Sequence, residues 1–119
     1  MELFEKRILF TNNVCKLIAF ITAHSIGVSF GETYRTYEQA KLYFEQGIGA
    51  IDSQHCKGLA VDLNLYRGNE YLKDAKDYIC AGKYWELLHH DNRWGGNWDK
   101  DDTILEEGEF DACHFEMMG

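Results

Sequence analysis

Apolar positions recur with two periods along the chain. Between Asn12 and Ile26, Val14, Leu17, Ile18 and Ile21 fall at helical spacing and predict an amphipathic helix stopped by Gly27. "VSFGETYR" (28–35) reads as a short strand leaving that helix. Thr36 followed by Gln39 is a capping-box pattern that opens a second helix, ending at Gly47. "GIGAID" (47–52) then reads as a flexible connection. The period changes to two in "GLAVDLNLY", with Leu59, Val61, Leu63 and Leu65 on one face and Ala60, Asp62, Asn64 and Tyr66 on the other. Residues 70–90 return to helix, as one element or as two broken near Gly82, and "RWGGNW" marks a turn-rich segment. In "CHFEM", Cys113, Phe115 and Met117 alternate with His114 and Glu116. This order of elements predicts an α+β fold, a small antiparallel sheet with helices packed on one side.

A chain of 119 residues has room for one core, so residues 1–119 are read as a single domain. Hydrophobic residues make up 45% and there is no low-complexity tract, as expected of a folded globular chain. Twelve basic residues against 20 acidic ones leave a net charge of −8, which repels phosphate backbones and anionic membrane surfaces and argues against a nucleic-acid partner. The most apolar run, 14–23, contains Lys16 and is too short to cross a bilayer. The acidic start "MELFEKR" does not resemble a signal peptide, so synthesis and folding in a cytosol, as a monomer, are expected. Cys15, Cys56, Cys80 and Cys113 show no disulfide framework and read as free thiols.

Two strands direct metal-capable groups away from their apolar faces: Asp62 from one, His114 and Glu116 from the other. They form one site if the strands pair. His55 precedes the first strand, where "HCKG" can fold the chain over the sheet with Gly58 easing the bend. A His, Asp, His trio with an open fourth position suits a catalytic zinc. Asp111, three residues before His114, is the nearest proton acceptor, and its opposite parity requires a bend. Taken singly, a histidine before a strand is commonly a surface or core residue, and a strand aspartate commonly caps a turn. Their conjunction carries the argument.

"SQHCKGLAVDL", "RWGGNW" and "DACHFE", in this order, resemble the zinc peptidases that include D-alanyl-D-alanine carboxypeptidases, dipeptidases and phage L-alanyl-D-glutamate endolysins. The family pattern S-x-H-x-x-G-x-A-x-D, then W-G-G, then D/E-x-x-H is kept throughout, and the likeness runs from about Val28 to the C-terminus. The resemblance implies one catalytic zinc on His55, Asp62 and His114, with Asp111 as general base and later acid. It implies that Arg35 binds substrate and stabilises the oxyanion, that Ser53 lies near the metal, and that Glu116 orients a ligand from behind. Aspartate at 111, with W-G-G and H-F-E, is closer to the phage endolysins than to the carboxypeptidases. The implied substrate is the stem peptide of peptidoglycan, cut at L-alanyl-D-glutamate during host lysis. The implied enzyme is made in the host cytoplasm and acts on the wall after the membrane is breached. A carboxypeptidase or dipeptidase is the alternative, and a non-catalytic zinc module the more distant one.

Other candidates compete for the metal. A closed Cys2His2 site using His55-Cys56 and Cys113-His114 meets the difficulty that adjacent strand residues face opposite ways. His89 and His90 could replace His55, but as residues closing a helix they suit the negative end of its dipole. The run 99–109, with six acids and one lysine, could hold Ca2+ but lacks the glycine at the sixth loop position, and reads instead as a solvated, mobile loop. Trp94 and Trp98 flank "GGN". Turn packing is the commoner role for tryptophans so placed, and Trp94 is carried as a substrate-binding candidate.

Overall fold

The computed structural model describes residues 1–49, 53–101, 103–106 and 108–119. The first helix, α1 (Leu3–Ala23), begins nine residues before the predicted start. From Phe10 onward it buries one face at helical spacing, Phe10, Asn13, Val14, Leu17 and Ile21. Its first turns are held by polar contacts that hydrophobic spacing does not register. Glu5 accepts from the Glu2 N–H at 3.0 Å, Arg7 donates to the Lys57 carbonyl at 2.6 Å, and Lys6 donates to the Met118 carbonyl at 2.5 Å. The helix stops at Ala23 through a left-handed Ser25 (φ 62°), so Gly27 opens the next strand instead of closing the helix.

Strand β1 (Gly27–Phe30) is shorter than 28–35, because from Gly31 the chain turns toward the first histidine. Helix α2 (Tyr37–Glu45) starts where predicted, the Thr36 hydroxyl accepting from the Gln39 N–H at 3.1 Å. The predicted connection over 47–52 lies outside the described residues at 50–52. A 3₁₀ turn (Gln54–Lys57), closed by left-handed Gly58 (φ 72°), leads into β2 (Ala60–Arg67). Then follow β3 (Glu70–Tyr71), a second 3₁₀ turn (Ala75–Tyr78), α3 (Ile79–Leu88), β4 (Asn92–Trp94) and β5 (His114–Met117). Gly82 does not break α3. It is buried within the helix because a Cβ there would stand 2.1 Å from the Trp94 ring.

The sheet is antiparallel in the order β1-β2-β5-β4, with β3 hairpinned on β2. Leu59, Val61, Leu63, Leu65, Trp94, Phe115 and Met117 cluster with Phe10, Val14, Leu17 and Ile21 of α1 and with Ala81 and Trp85 of α3. Two helices therefore cover one face of the sheet, as predicted, while α2 buries only Ala40 and adds nothing to that cluster. The other face is left for polar groups. No helix among the described residues is long and apolar enough to cross a membrane.

Candidate active site

Antiparallel pairing of β2 with β5 sets Asp62 directly opposite His114, and Ala60 opposite Glu116. The period-two alternation that sends Val61 and Phe115 into the core sends this carboxylate and this imidazole to the opposite face. His55 reaches the same point from the 3₁₀ turn. The Ser53 hydroxyl caps that turn by accepting from the His55 N–H at 3.2 Å, and the Arg35 N–H donates to the His55 carbonyl at 3.1 Å.

Each imidazole is fixed by an outer partner. His55 Nδ1 lies 2.6 Å from the Thr33 carbonyl, which accepts its proton and leaves Nε2 bare, 3.4 Å from Asp62 Oδ1. His114 Nε2 lies 2.8 Å from Glu116 Oε1, which turns Nδ1 toward the same Asp62 oxygen at 3.2 Å. The ligand atoms of the three side chains lie within 4.8 Å of one another, and both histidines are buried, His55 to 2% exposure and His114 to 6%. Three ligand atoms thus converge on one point, an arrangement able to hold a cation. Two imidazole nitrogens and one carboxylate oxygen, facing an open cleft, fit zinc, so the residues suit the metal that the motif implies. Without metal, a proton serves. Burial opposes charge on His114, but the bonds to Asp62 and Glu116 raise its pKa to about 9. Burial likewise pushes Asp62 up, and the two histidines outweigh it and hold the carboxyl at about 2. Glu116, buried between His114 and Arg93, is also held below the ordinary glutamate range.

Asp111 stands beside the trio, Oδ2 3.8 Å from His114 Nδ1, with its side chain about half exposed. The required bend is a turn in which the Asp111 carbonyl accepts from the His114 N–H at 3.0 Å. The W-G-G motif supports that turn. A Cβ on Gly95 would stand 1.9 Å from the Asp111 carbonyl oxygen, and one on Gly96 would stand 2.4 Å from the Trp94 ring. Arg35, Ser53, His55, Asp62, Asp111, His114 and Glu116 all line one cleft of about 440 Å³.

Trp94 is not among them. It pairs with Phe115 on the core face, is fully buried, and donates its indole N–H to the Ala112 carbonyl at 2.7 Å. Trp98 stands at the cleft in its place, its ring 5.2 Å from that of His114. Two charged residues escaped the sequence reading. Glu32 accepts from Arg35 Nε at 2.9 Å and also from Nη2, fixing the guanidinium, which lies 5.2 Å from the centre of the Tyr43 ring. Arg93 donates to Glu116 Oε2 from Nε and Nη2, at 3.1 and 2.7 Å. A carboxylate three residues before Arg35, and the position next to Trp94 on the opposite parity, were the signals available for the two.

The competing cysteines do not join the trio, while His89, His90 and Asp91, and in the acidic run Asp99, Glu106 and Glu109, form metal-capable groups of their own. The Cys113 thiol, pushed up to about 12 by burial and by Asp62 and Asp111, lies 3.7 Å from an Asp111 oxygen, and no cysteine joins a metal-capable cluster among the described residues. His89 and His90 group with Asp91 instead of with the trio. Within 99–109, positions 102 and 107 lie outside the described residues. Of the rest, Asp99, Lys100, Asp101, Thr103 and Gly108 are exposed as expected of a solvated loop, while Glu109 is buried at 4% exposure and accepts from the N–H groups of Asp99 and Glu106, at 3.4 and 3.3 Å.

A search of curated proteins finds no match. Among solved structures, the Serratia marcescens L-Ala D-Glu endopeptidase ChiX has a similar fold, with a TM-score of 0.60 and 18% identity over 78% of this chain and 68% of that one. The family profile described as D-alanyl-D-alanine carboxypeptidase matches residues 47–117, more than half of the chain and a span that contains the trio, the W-G-G turn and Asp111. With its motif order and its fold in agreement, the chain belongs to this family of peptidases.

Proposed function

We propose that the chain is a zinc-dependent endopeptidase that hydrolyses the L-alanyl-D-glutamate bond of peptidoglycan stem peptides. The observation that carries this reading is the convergence of His55 Nε2, Asp62 Oδ1 and His114 Nδ1 in a cleft that also holds Asp111 and Arg35. A zinc ion on the trio would supply Lewis acidity, polarising the scissile carbonyl and making water acidic near neutral pH.

The chain's own groups do the rest. Asp111, exposed to the cleft, takes the proton from the attacking water and returns it to the leaving amine. Arg35, held charged by Glu32, donates to the carbonyl oxygen as negative charge develops there. Ser53 keeps His55 in place through the cap of its turn and borders the substrate. Glu116 holds the proton on His114 Nε2 so that Nδ1 stays directed at the site. The choice of bond is supported by aspartate at 111 and by the similarity of fold to an enzyme titled L-Ala D-Glu endopeptidase.

The likeness to phage endolysins supports a role in host lysis, with synthesis in the host cytoplasm and action on the wall after membrane breach. The family description favours one rival, removal of terminal D-alanine. Mass spectrometry of peptidoglycan digested by the zinc-loaded protein separates them. Stem peptides beginning at D-glutamate support the endopeptidase, and loss of D-alanine alone replaces it with a carboxypeptidase. Asp111→Ala should retain zinc while losing roughly 10²–10⁴-fold in rate, and near-normal turnover would remove the base assignment.

A further inference from the structure

The cleft is flanked by two arginines, and the chemistry above uses only one. Both are mounted in the same way. Arg35 sets Nε and Nη2 on one oxygen of Glu32, and Arg93 sets Nε and Nη2 on one oxygen of Glu116. The sheet order separates them. Arg35 follows β1 at one edge, Arg93 lies on β4 at the other, and Asp62 and His114 stand on the strands between.

Arg93 faces Glu116 in register, and its guanidinium carbon lies 5.1 Å from the centre of the Trp98 ring, whose position against His114 carries it to the metal trio. Its side chain is 31% exposed and lines the cleft, and among the described residues Nη1 has no acceptor. Glu116 cannot absorb the whole of this cation, because its other oxygen is engaged by His114. A guanidinium with one edge anchored and the other open is preorganised to receive a planar carboxylate, since its orientation is fixed before the ligand arrives.

We infer that Arg93 is a specificity-determining residue that binds a free carboxylate of the substrate beside the scissile bond, across the metal trio from Arg35. The inference rests on the peptidase reading and narrows its substrate. In an L-alanyl-D-glutamate stem peptide linked onward through the side-chain carboxyl, the free α-carboxylate sits on the carbon next to the scissile nitrogen. The enzyme then discriminates between stem peptides carrying this acid and those in which it is amidated.

The test uses two synthetic stem peptides that differ only in acid or amide at that position, with the zinc-loaded wild type and Arg93→Gln. A charge-assisted hydrogen bond corresponds to roughly ten- to a hundredfold in kcat/KM, and the wild type should prefer the acid by that factor. Arg93→Gln should bring the ratio near unity, the loss on the acid substrate exceeding that on the amide by that factor. An equal fall on both substrates would mean that Arg93 acts only through Glu116 on His114, and would overturn the inference. So would a wild type indifferent to amidation, with the endopeptidase reading intact. Binding of both peptides to zinc-loaded Asp111→Ala, by calorimetry, separates the two ideas. Acid-selective binding without wild-type cleavage would sustain the carboxylate anchor and remove the endopeptidase, whereas equal affinity would overturn the anchor.

Discussion

Among the described residues two groups each combine two histidines and one aspartate, and they differ in nearly everything but composition. His55, Asp62 and His114 come from a 3₁₀ turn and two paired strands, with both imidazoles buried and each carrying an outer partner on one nitrogen. His89, His90 and Asp91 are consecutive, at the end of α3. His90 is 84% exposed, the His89 Nδ1 lone pair already accepts from the Asp91 N–H at 3.0 Å, and Lys6 stands 3.5 Å from the Asp91 carboxylate. In the first group the inner atoms are aimed at one point, where Asp62 Oδ1 meets both imidazoles. In the second, one lone pair is used by the backbone and a cation already faces the carboxylate. Ligand type and proximity do not make a site; ligand atoms directed at one point by partners outside the group do.

The largest expected effect comes from exchanging the roles of the two groups. His55→Ala or Asp62→Asn should lower bound zinc from about one per chain to none and abolish hydrolysis, while the double variant His89→Ala/His90→Ala keeps both. Elemental analysis and turnover on one preparation check this, and zinc loss from the second variant alone would reverse the comparison. A smaller effect tests the outer partner. Glu116→Gln should weaken zinc binding by roughly 10–100-fold, with the fold retained by circular dichroism. An unchanged affinity would show that Glu116 serves Arg93 only.

The smallest effect is on stability against pH, in the metal-free protein. Asp62 is depressed from 3.8 to about 2, so its contribution is complete above 3.8 and is lost as pH falls toward 2. His114 is raised from 6.5 to about 9, so its contribution is complete below 6.5 and is lost as pH rises through 9. Urea midpoints should therefore form a plateau between about pH 4 and 6.5 and fall on both sides. Asp62→Asn should flatten both flanks, and a wild-type profile still rising at pH 8 would contradict the assigned pairing.

Legibility in the sequence followed the kind of force involved. The β2 and β5 faces were readable because successive strand side chains point to opposite faces and the apolar residues keep to one of them, and the start of α2 because a side-chain cap has a fixed offset. The first turns of α1 were not, because they are tied down by Lys6 and Arg7 to carbonyls 112 and 50 residues away. Gly82 looked like a break because a glycine within a helix usually weakens it, and only the approach of Trp94 explains it. Trp94 itself was misplaced because β4 spans three residues, too few to display an alternation, so its parity follows from pairing with Phe115.

By itself the sequence determined which residues carry chemistry, the faces on which Asp62, His114 and Glu116 stand, and, through its motif order, the family. Those properties depend on local spacing, which the chain encodes directly. The tertiary structure decided that Asp62 lies opposite His114, that Glu32 and Arg93 belong to the cleft, that Trp98 and not Trp94 borders it, and that one of two similar His and Asp groups has its lone pairs aimed. Strand register and side-chain hydrogen bonding bring together residues tens of positions apart, and no local pattern carries that information.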